Sequence, residues 1–190
     1  MVEQANIPSN LLIFLETLDE HLAGGDPVEL YLGGAAAILL VYGGQVATED
    51  LDFIGEASGL LLELRQLAGK DSKVHRLTNY YLDILPPGLF PSAMGWKKRT
   101  ILAKVQSLQH IRLRVLEVHD LIVSKLKRFG SQDQEDIRGL CDRPEFDAGT
   151  LLERYREARQ MHDHDQREKL DRNFHLVETE FLQLQPTEFP

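Results

Sequence analysis

Residues 32–55 read LGGAAAILLVYGGQVATEDLDFIG. The run opens on a Gly-Gly pair, passes through an apolar stretch and closes on two aspartates one residue apart. VELYL (Val28 to Leu32) predicts a short strand, Gly33-Gly34 a turn, Ala35 to Tyr42 a helix, and LDFI a second strand. Alternate residues of a strand share a face, with Cα atoms ~6.6 Å apart at ~3.3 Å rise per residue. Asp50 and Asp52 therefore project together while Leu51 and Phe53 face the core. Two carboxylates so close repel, and a divalent cation relieves the repulsion. Magnesium takes a few carboxylates and completes its shell with water and substrate phosphates, which suits a pair of aspartates with open positions.

The rest of the chain supplies a setting for that pair. Leu11 to Ala23 carries leucines at helical spacing and ends at Gly24-Gly25. Ser58 to Leu67 reads as a helix, KVHRL as a weak strand, and YYLDIL as a strong strand stopped by Pro86-Pro87-Gly88. A Gly/Pro-rich loop passes Trp96 and leads to HIRLRVLEV, whose alternation marks a half-buried strand. Helices follow: Asp120 to Phe129, Gln132 to Cys141, then one or two long polar helices to about Leu184. The expected fold class is α/β (α+β), a small mixed β-sheet flanked by helices with a helical C-terminal third. Residues 1–117 form the expected α/β core, and 118–190 a helical region packed on it.

Composition narrows the function classes. The chain has 190 residues, 43% apolar and 27% charged, as an ordinary globular protein does. One cysteine, Cys141, excludes an internal disulfide and a Cys-based zinc site. The start MVEQANIPSN carries no basic n-region, and no run is long and apolar enough to span a bilayer, so a cytoplasmic protein without a membrane partner is expected. A net charge of −9 argues against a generally basic nucleic-acid surface. Between Trp96 and Arg128, however, nine Lys/Arg face only Glu117 and Asp120, an asymmetry that suits an anionic ligand.

Two further features join the aspartate pair. Asp83 sits mid-strand in YYLDILPP, on the face of Tyr81 and Leu85, where burial alone would not choose a carboxylate. Three aspartates on adjacent strands have the means to hold two metals, one at the attacking oxygen and one at the leaving group. Backbone amides at the Gly33-Gly34 turn, ahead of a helix, suit a phosphate, which glycine allows to approach closely. In HDLIVSKLKRFGSQDQEDI, Lys125 shares the apolar stripe of Ile122, Leu126 and Phe129 and so needs an anion, either a phosphate or an aspartate of the sheet. Ser131 and Gln134 read as a capping box for the next helix, on which Asp133 and Asp136 share a face. The purely structural alternative has Asp50 capping a turn, Asp52 and Asp83 on a solvated face, and Lys125 snorkelling. MHDHDQ (161–166) reads as a solvated helix face and Trp96 as a packing residue.

The order strand, Gly-Gly, helix, D-x-D strand, third-Asp strand resembles the nucleotidyltransferase superfamily with its DNA polymerase β-like core. Within it, the segment looks most like the AbiEii-type branch, which includes toxins of abortive-infection and toxin–antitoxin systems. That branch shows Gly-Gly, a short helix ending in Tyr-Gly, then Ser/Thr-x-Asp-Leu-Asp-Phe; Gly33, Gly34, Thr48, Asp50, Leu51, Asp52 and Phe53 fall on this pattern. The resemblance covers roughly residues 28 to 140. It implies transfer of an NMP from an NTP to an RNA or protein acceptor, with Mg2+ as cofactor and an antitoxin protein as partner. By the same resemblance Asp50, Asp52 and Asp83 are the catalytic and metal-binding acids. Gly33, Gly34, Thr48, Lys125 and Arg128 contact the nucleotide, and Asp133 and Asp136 support them. Ala35 stands where family members carry a hydroxyl, Gln45 and Val46 where many carry an arginine, and Gln132 where a basic residue is frequent. The alternative these departures open is a catalytically inactive nucleotide-binding or protein-interaction module with the same fold.

Overall fold

The computed structural model describes residues 7–43, 48–57, 59–89 and 91–189. Its elements in chain order are α1 (Ser9–His21), β1 (Val28–Leu32), α2 (Gly34–Ala37) continued by a π-helical turn (Ile38–Tyr42), β2 (Asp50–Ile54), α3 (Gly59–Ala68), α4 (Lys73–Thr78), β3 (Tyr81–Leu85), α5 (Trp96–Arg99), β4 (Ile101–Leu102), β5 (Ile111–Val115), α6 (Val118–Lys125), α7 (Ser131–Cys141), α8 (Ala148–Gln160), α9 (His164–Leu176) and a second π-helical turn (Val177–Phe181). The chain divides into two compact units, Met1–Leu89 with Arg99–Leu116, and Phe90–Lys98 with Glu117–Pro190. The α+β class expected from the pattern is the one observed.

In the first unit the five strands form one mixed sheet of order β3-β2-β1-β5-β4. β1 pairs antiparallel with β2 and parallel with β5; β2 and β3 run parallel, and β4 and β5 antiparallel. Every second residue of the long strands is buried: Leu30 and Leu32, Leu51 and Phe53, Leu82 and Ile84, then Ile111, Leu113 and Val115. α1 contributes Leu11, Phe14, Leu15 and Leu18 to the same core, and α3 contributes Leu64 and Ala68. Each such side chain stabilises the fold by about 1.5–3 kcal/mol through burial. A carboxylate ties α1 to the sheet over a long stretch of chain. Buried Asp19 accepts the backbone N–H groups of Gln109, His110 and Ile111 at 3.0, 2.8 and 2.7 Å, satisfying the donors where β5 begins.

KVHRL departs from its expected strand and forms helix α4. Ser72 caps it by accepting the His75 N–H at 3.0 Å, and Asn79 closes it in the left-handed region at φ 61°. A strong local cap with a left-handed stop outweighs the single β-branched residue of the helix interior, Val74. The expected helix 35–42 is α-helical only to Ala37 and continues as a π turn to Gly43, with Ile38, Leu40, Val41 and Tyr42 buried. Strand β4, two residues long, lies at the sheet's end.

The second unit is helical. α6 packs against α7 and α8. Glu117 caps α6 by accepting the N–H groups of His119 and Asp120, and it also binds His119 Nδ1 at 2.8 Å. The Asp147 N–H donates to His119 Nε2 at 2.9 Å, so Nε2 is unprotonated and the ring proton sits on Nδ1. Tyr155 stacks on Phe174 with ring centroids 4.0 Å apart, and its hydroxyl donates to Asp171, which also receives Arg159. The chain end folds back onto these helices. Thr187 donates through N–H and hydroxyl to buried Glu178, and Phe189 meets Tyr155 and Phe174 edge-on. The expected Ser131–Gln134 capping box is replaced by a shifted cap. Gly130 precedes the helix, and Asp133 reaches back to accept its N–H at 3.0 Å. His162 is buried in the turn between α8 and α9 instead of on a solvated helix face, with Nδ1 bonded to Gln166 at 2.7 Å. No helix among the described residues is long and apolar enough to cross a membrane.

Candidate functional site

The sheet face opposite the core collects polar residues by strand register. β2 and β3 run parallel with Asp50 beside Tyr81 and Asp52 beside Asp83. Cross-strand partners share a face, so Asp50, Asp52, Tyr81 and Asp83 lie together, each half-buried while Leu51, Phe53, Leu82 and Ile84 are buried behind them.

The glycine turn meets this face directly. Gly33 N–H donates to the Asp52 carbonyl at 3.0 Å, closing the β1–β2 pair where the turn begins. Gly34 lies at φ +66°, and a Cβ built on it would stand 2.1 Å from Asp52 Oδ2. Glycine is therefore required twice here, once by the left-handed backbone and once because the Asp52 carboxylate occupies the place of a side chain. Sequence reasoning expected these glycines to admit a phosphate; in the structure Gly34 admits the aspartate.

The remaining contacts hold each acid in place. The Thr48 hydroxyl donates to Asp50 Oδ1 at 2.5 Å, which fixes that carboxylate. Asp83 Oδ1 accepts the Ile84 N–H at 3.0 Å and lies 3.9 Å from Arg65 Nη2 of α3. Tyr81 reports the local field: burial pushes its phenol up, and the negative charges of Asp50, Asp83, Asp52 and Glu49 push it further. His75 meets the Tyr81 ring edge-on at 5.0 Å, and the Lys70 ammonium stands 5.7 Å from its centroid. Arg65, Lys70 and His75 were not singled out from the sequence, where they are ordinary polar positions of a helix, a loop and an expected weak strand. Only the pairing of β2 with β3 brings them beside the acids.

The donor chemistry of this face fits a hard divalent cation. All three carboxylates offer oxygen, share one face and sit where negative charge accumulates. Among the described residues no three His, Cys, Asp or Glu side chains are grouped closely enough to hold a metal ion, so these carboxylates are an open set and not a preformed metal site. Magnesium, which keeps water and phosphate oxygens in its shell, is compatible with such an open set.

Lys125, Arg128, Asp133 and Asp136 form a group of their own in the second unit. Lys125 is buried, as its place on the apolar stripe requires, and its anion is Asp136 at 2.7 Å with Asp133 at 3.7 Å. Arg128 grips Asp133 through two bonds of 2.7 Å. Gln132 donates to the other oxygen of Asp136 at 3.2 Å, so the amide supplies the donor expected there of a basic residue. Burial raises the Asp133 carboxyl, yet Arg128, the Gly130 N–H and the charge of Lys125 together hold it below the usual carboxylate range. Gln45 and Val46 lie outside the described residues.

No curated protein and no solved structure matches the chain. A family model does match, over residues 9–182, and its span takes in the β1–turn–β2 unit, β3 and the Lys125 group alike. By that match the chain belongs to the family described as "Nucleotidyltransferase of unknown function (DUF6036)".

Proposed function

We propose that this protein transfers a nucleoside monophosphate from an NTP to an acceptor hydroxyl, using the Asp50–Asp52–Asp83 face as its reaction site. The observation that carries the reading is the Asp52 carboxylate seated against Gly34 with Asp83 at the same register on the next strand. The clustering of three half-exposed carboxylates on one sheet face carries mutual repulsion. It is explained when those oxygens bind a cation and its nucleotide.

Asp50 and Asp52 would hold Mg2+, and Thr48 would keep Asp50 in its binding rotamer. The ion would supply charge neutralisation at the α-phosphate and at the departing pyrophosphate. Asp83, half-exposed and 3.9 Å from Arg65, would accept the proton of the acceptor hydroxyl. The acceptor oxygen bonds to the α-phosphorus as the bond to the bridging oxygen breaks, and pyrophosphate leaves. The Gly33 amide is committed to the Asp52 carbonyl. The acceptor class we favour is RNA or a protein side chain. Within the AbiEii-type branch that the motif resembles, such a protein would act in the cytoplasm as the toxin of a toxin–antitoxin or phage-defence pair, with an antitoxin as its partner.

A second reading is a nucleotide-binding or interaction module without turnover. Two observations favour it: Lys125 is fully engaged by Asp136 and Asp133, and Ala35 brings no hydroxyl to the turn. The two readings separate when the protein is incubated with each NTP labelled at the α-phosphate, Mg2+ and total RNA or cell lysate. Transfer of label that Asp52→Ala abolishes supports the enzyme. Nucleotide binding with no transfer to any acceptor supports the module.

A further inference from the structure

We propose that the outer edge of β4 takes up a partner segment as an added strand, the partner being an extended peptide in which acidic and apolar residues alternate. This site lies at the opposite end of the sheet from the carboxylates of β2 and β3 and does not depend on the function assigned to them.

The sheet ends at β4 among the described residues. β4 pairs antiparallel with β5 through Ile101–Val115 and Leu102–Arg114, and the Ala103 N–H still donates to the Leu113 carbonyl at 2.9 Å. In an antiparallel pair the inward-pointing residues alternate, so Leu102, next to inward-bonded Ala103, turns its N–H and C=O away from β5. Those two groups are a ready template for another strand. Natural edges are blunted by bulges, prolines or covering loops, whereas here a large apolar side chain, Leu102, is 48% exposed.

A groove of about 410 Å³ adjoins this edge. Leu102, Ala103, Val105 and Leu108 give it an apolar floor, and Lys104 and Arg112 stand at it as cations. Arg112 is exposed on β5, beside Arg114 on the same face. Alternate side chains of an added strand point to opposite faces, so one set would meet Lys104 and Arg112 beside Leu102 and the intervening set would lie on the apolar side of Ala103 and Ile111. The second set is therefore apolar. Charge complementarity makes the first set acidic. A second copy of this chain is disfavoured as occupant, because β4 against β4 would oppose Lys104 to the cations of the other copy. A nucleic acid is disfavoured by the apolar floor and by backbone groups as the main donors and acceptors.

The test is amide NMR of the full chain titrated with an acetylated, amidated hexapeptide alternating Glu and Val, and with its Lys/Val counterpart. Saturable shifts at Leu102, Ala103 and Lys104 with the Glu peptide, at a dissociation constant on the order of 1 mM or below, are expected. The Lys peptide is expected to leave them unchanged. Leu102→Pro removes only the outward N–H, so the fold monitored by circular dichroism should hold while the shifts vanish. Lys104→Glu, which touches no ladder bond, should weaken the Glu peptide by about tenfold and admit the Lys peptide. Equal binding of both peptides, shifts centred elsewhere, no shifts at millimolar peptide, or edge-dependent self-association in sedimentation would each overturn the proposal.

Discussion

Replacing Gly34 by alanine isolates the contact on which the site depends, because Gly43 provides a matched control. Both glycines lie at φ +66°, so alanine at either position carries the same left-handed penalty, about 1–2 kcal/mol. They differ in what the new methyl meets. At Gly43 nothing among the described residues lies within 4 Å, whereas at Gly34 the Cβ would stand 2.1 Å from Asp52 Oδ2. Ordinary contact begins at 3.4 Å, so the carboxylate must retreat by about 1.3 Å. Forcing Asp52 from its rotamer adds about 1–2 kcal/mol, giving a total near 2–4 kcal/mol for Gly34→Ala against about 1–2 for Gly43→Ala. Oxygen-to-magnesium distances tolerate only a few tenths of an ångström, so the same displacement should lower Mg2+–nucleotide affinity by about tenfold or more. Urea denaturation reads the first effect and calorimetric titration of Mg2+ with a non-hydrolysable NTP reads the second. In the double variant Gly34→Ala/Asp52→Ala the extra penalty should disappear, a coupling that a double-mutant cycle measures. Equal destabilisation at both glycines, with nucleotide affinity unchanged at Gly34, would refute the argument.

Three other outcomes follow from the same geometry. Lys125→Met should destabilise the protein by about 3–5 kcal/mol in urea, because it leaves Asp136 buried without its cation. Asp19→Ala strands three backbone N–H groups at the start of β5 and should cost about 3 kcal/mol or more, with faster hydrogen exchange at residues 109–111 as the local readout. Asp133 has a depressed folded-state pKa, so its contribution is complete above its unfolded value near 3.8 and is lost as pH falls through the lower folded value. Stability should therefore be level in this respect above about pH 5 and decline below about pH 4, and Asp133→Asn should flatten that part of the acid limb.

How far the sequence was legible depended on the range of the interactions involved. β1, β2 and β3 could be read because alternation and turn glycines are local. Asp50, Asp52 and Asp83 stood out because carboxylates interrupt that alternation. Their shared face follows from a parallel β2–β3 register that no local pattern encodes, and Arg65 and Lys70 enter only through it. Lys125 announced that it needed an anion, but its position alone could not choose among a phosphate, a sheet aspartate and Asp136, eleven residues further on. KVHRL was misread because its cap, Ser72, and its stop, Asn79, both lie outside the five letters. Asp19 looked like one more polar residue of an amphipathic helix, since its partners lie some ninety residues away. Strand β4 is too short for any periodicity to show.

The central claim is that Asp50, Asp52 and Asp83 bind a divalent cation together with a nucleotide at the Gly34 turn. Paramagnetic Mn2+, titrated into the labelled protein with a non-hydrolysable NTP present, tests it without requiring turnover. The account predicts amide broadening centred on Gly34, on 50–54 and on 81–85, reversed by excess Mg2+ and lost in Asp52→Asn. Broadening centred elsewhere, or unchanged in Asp52→Asn, would contradict it.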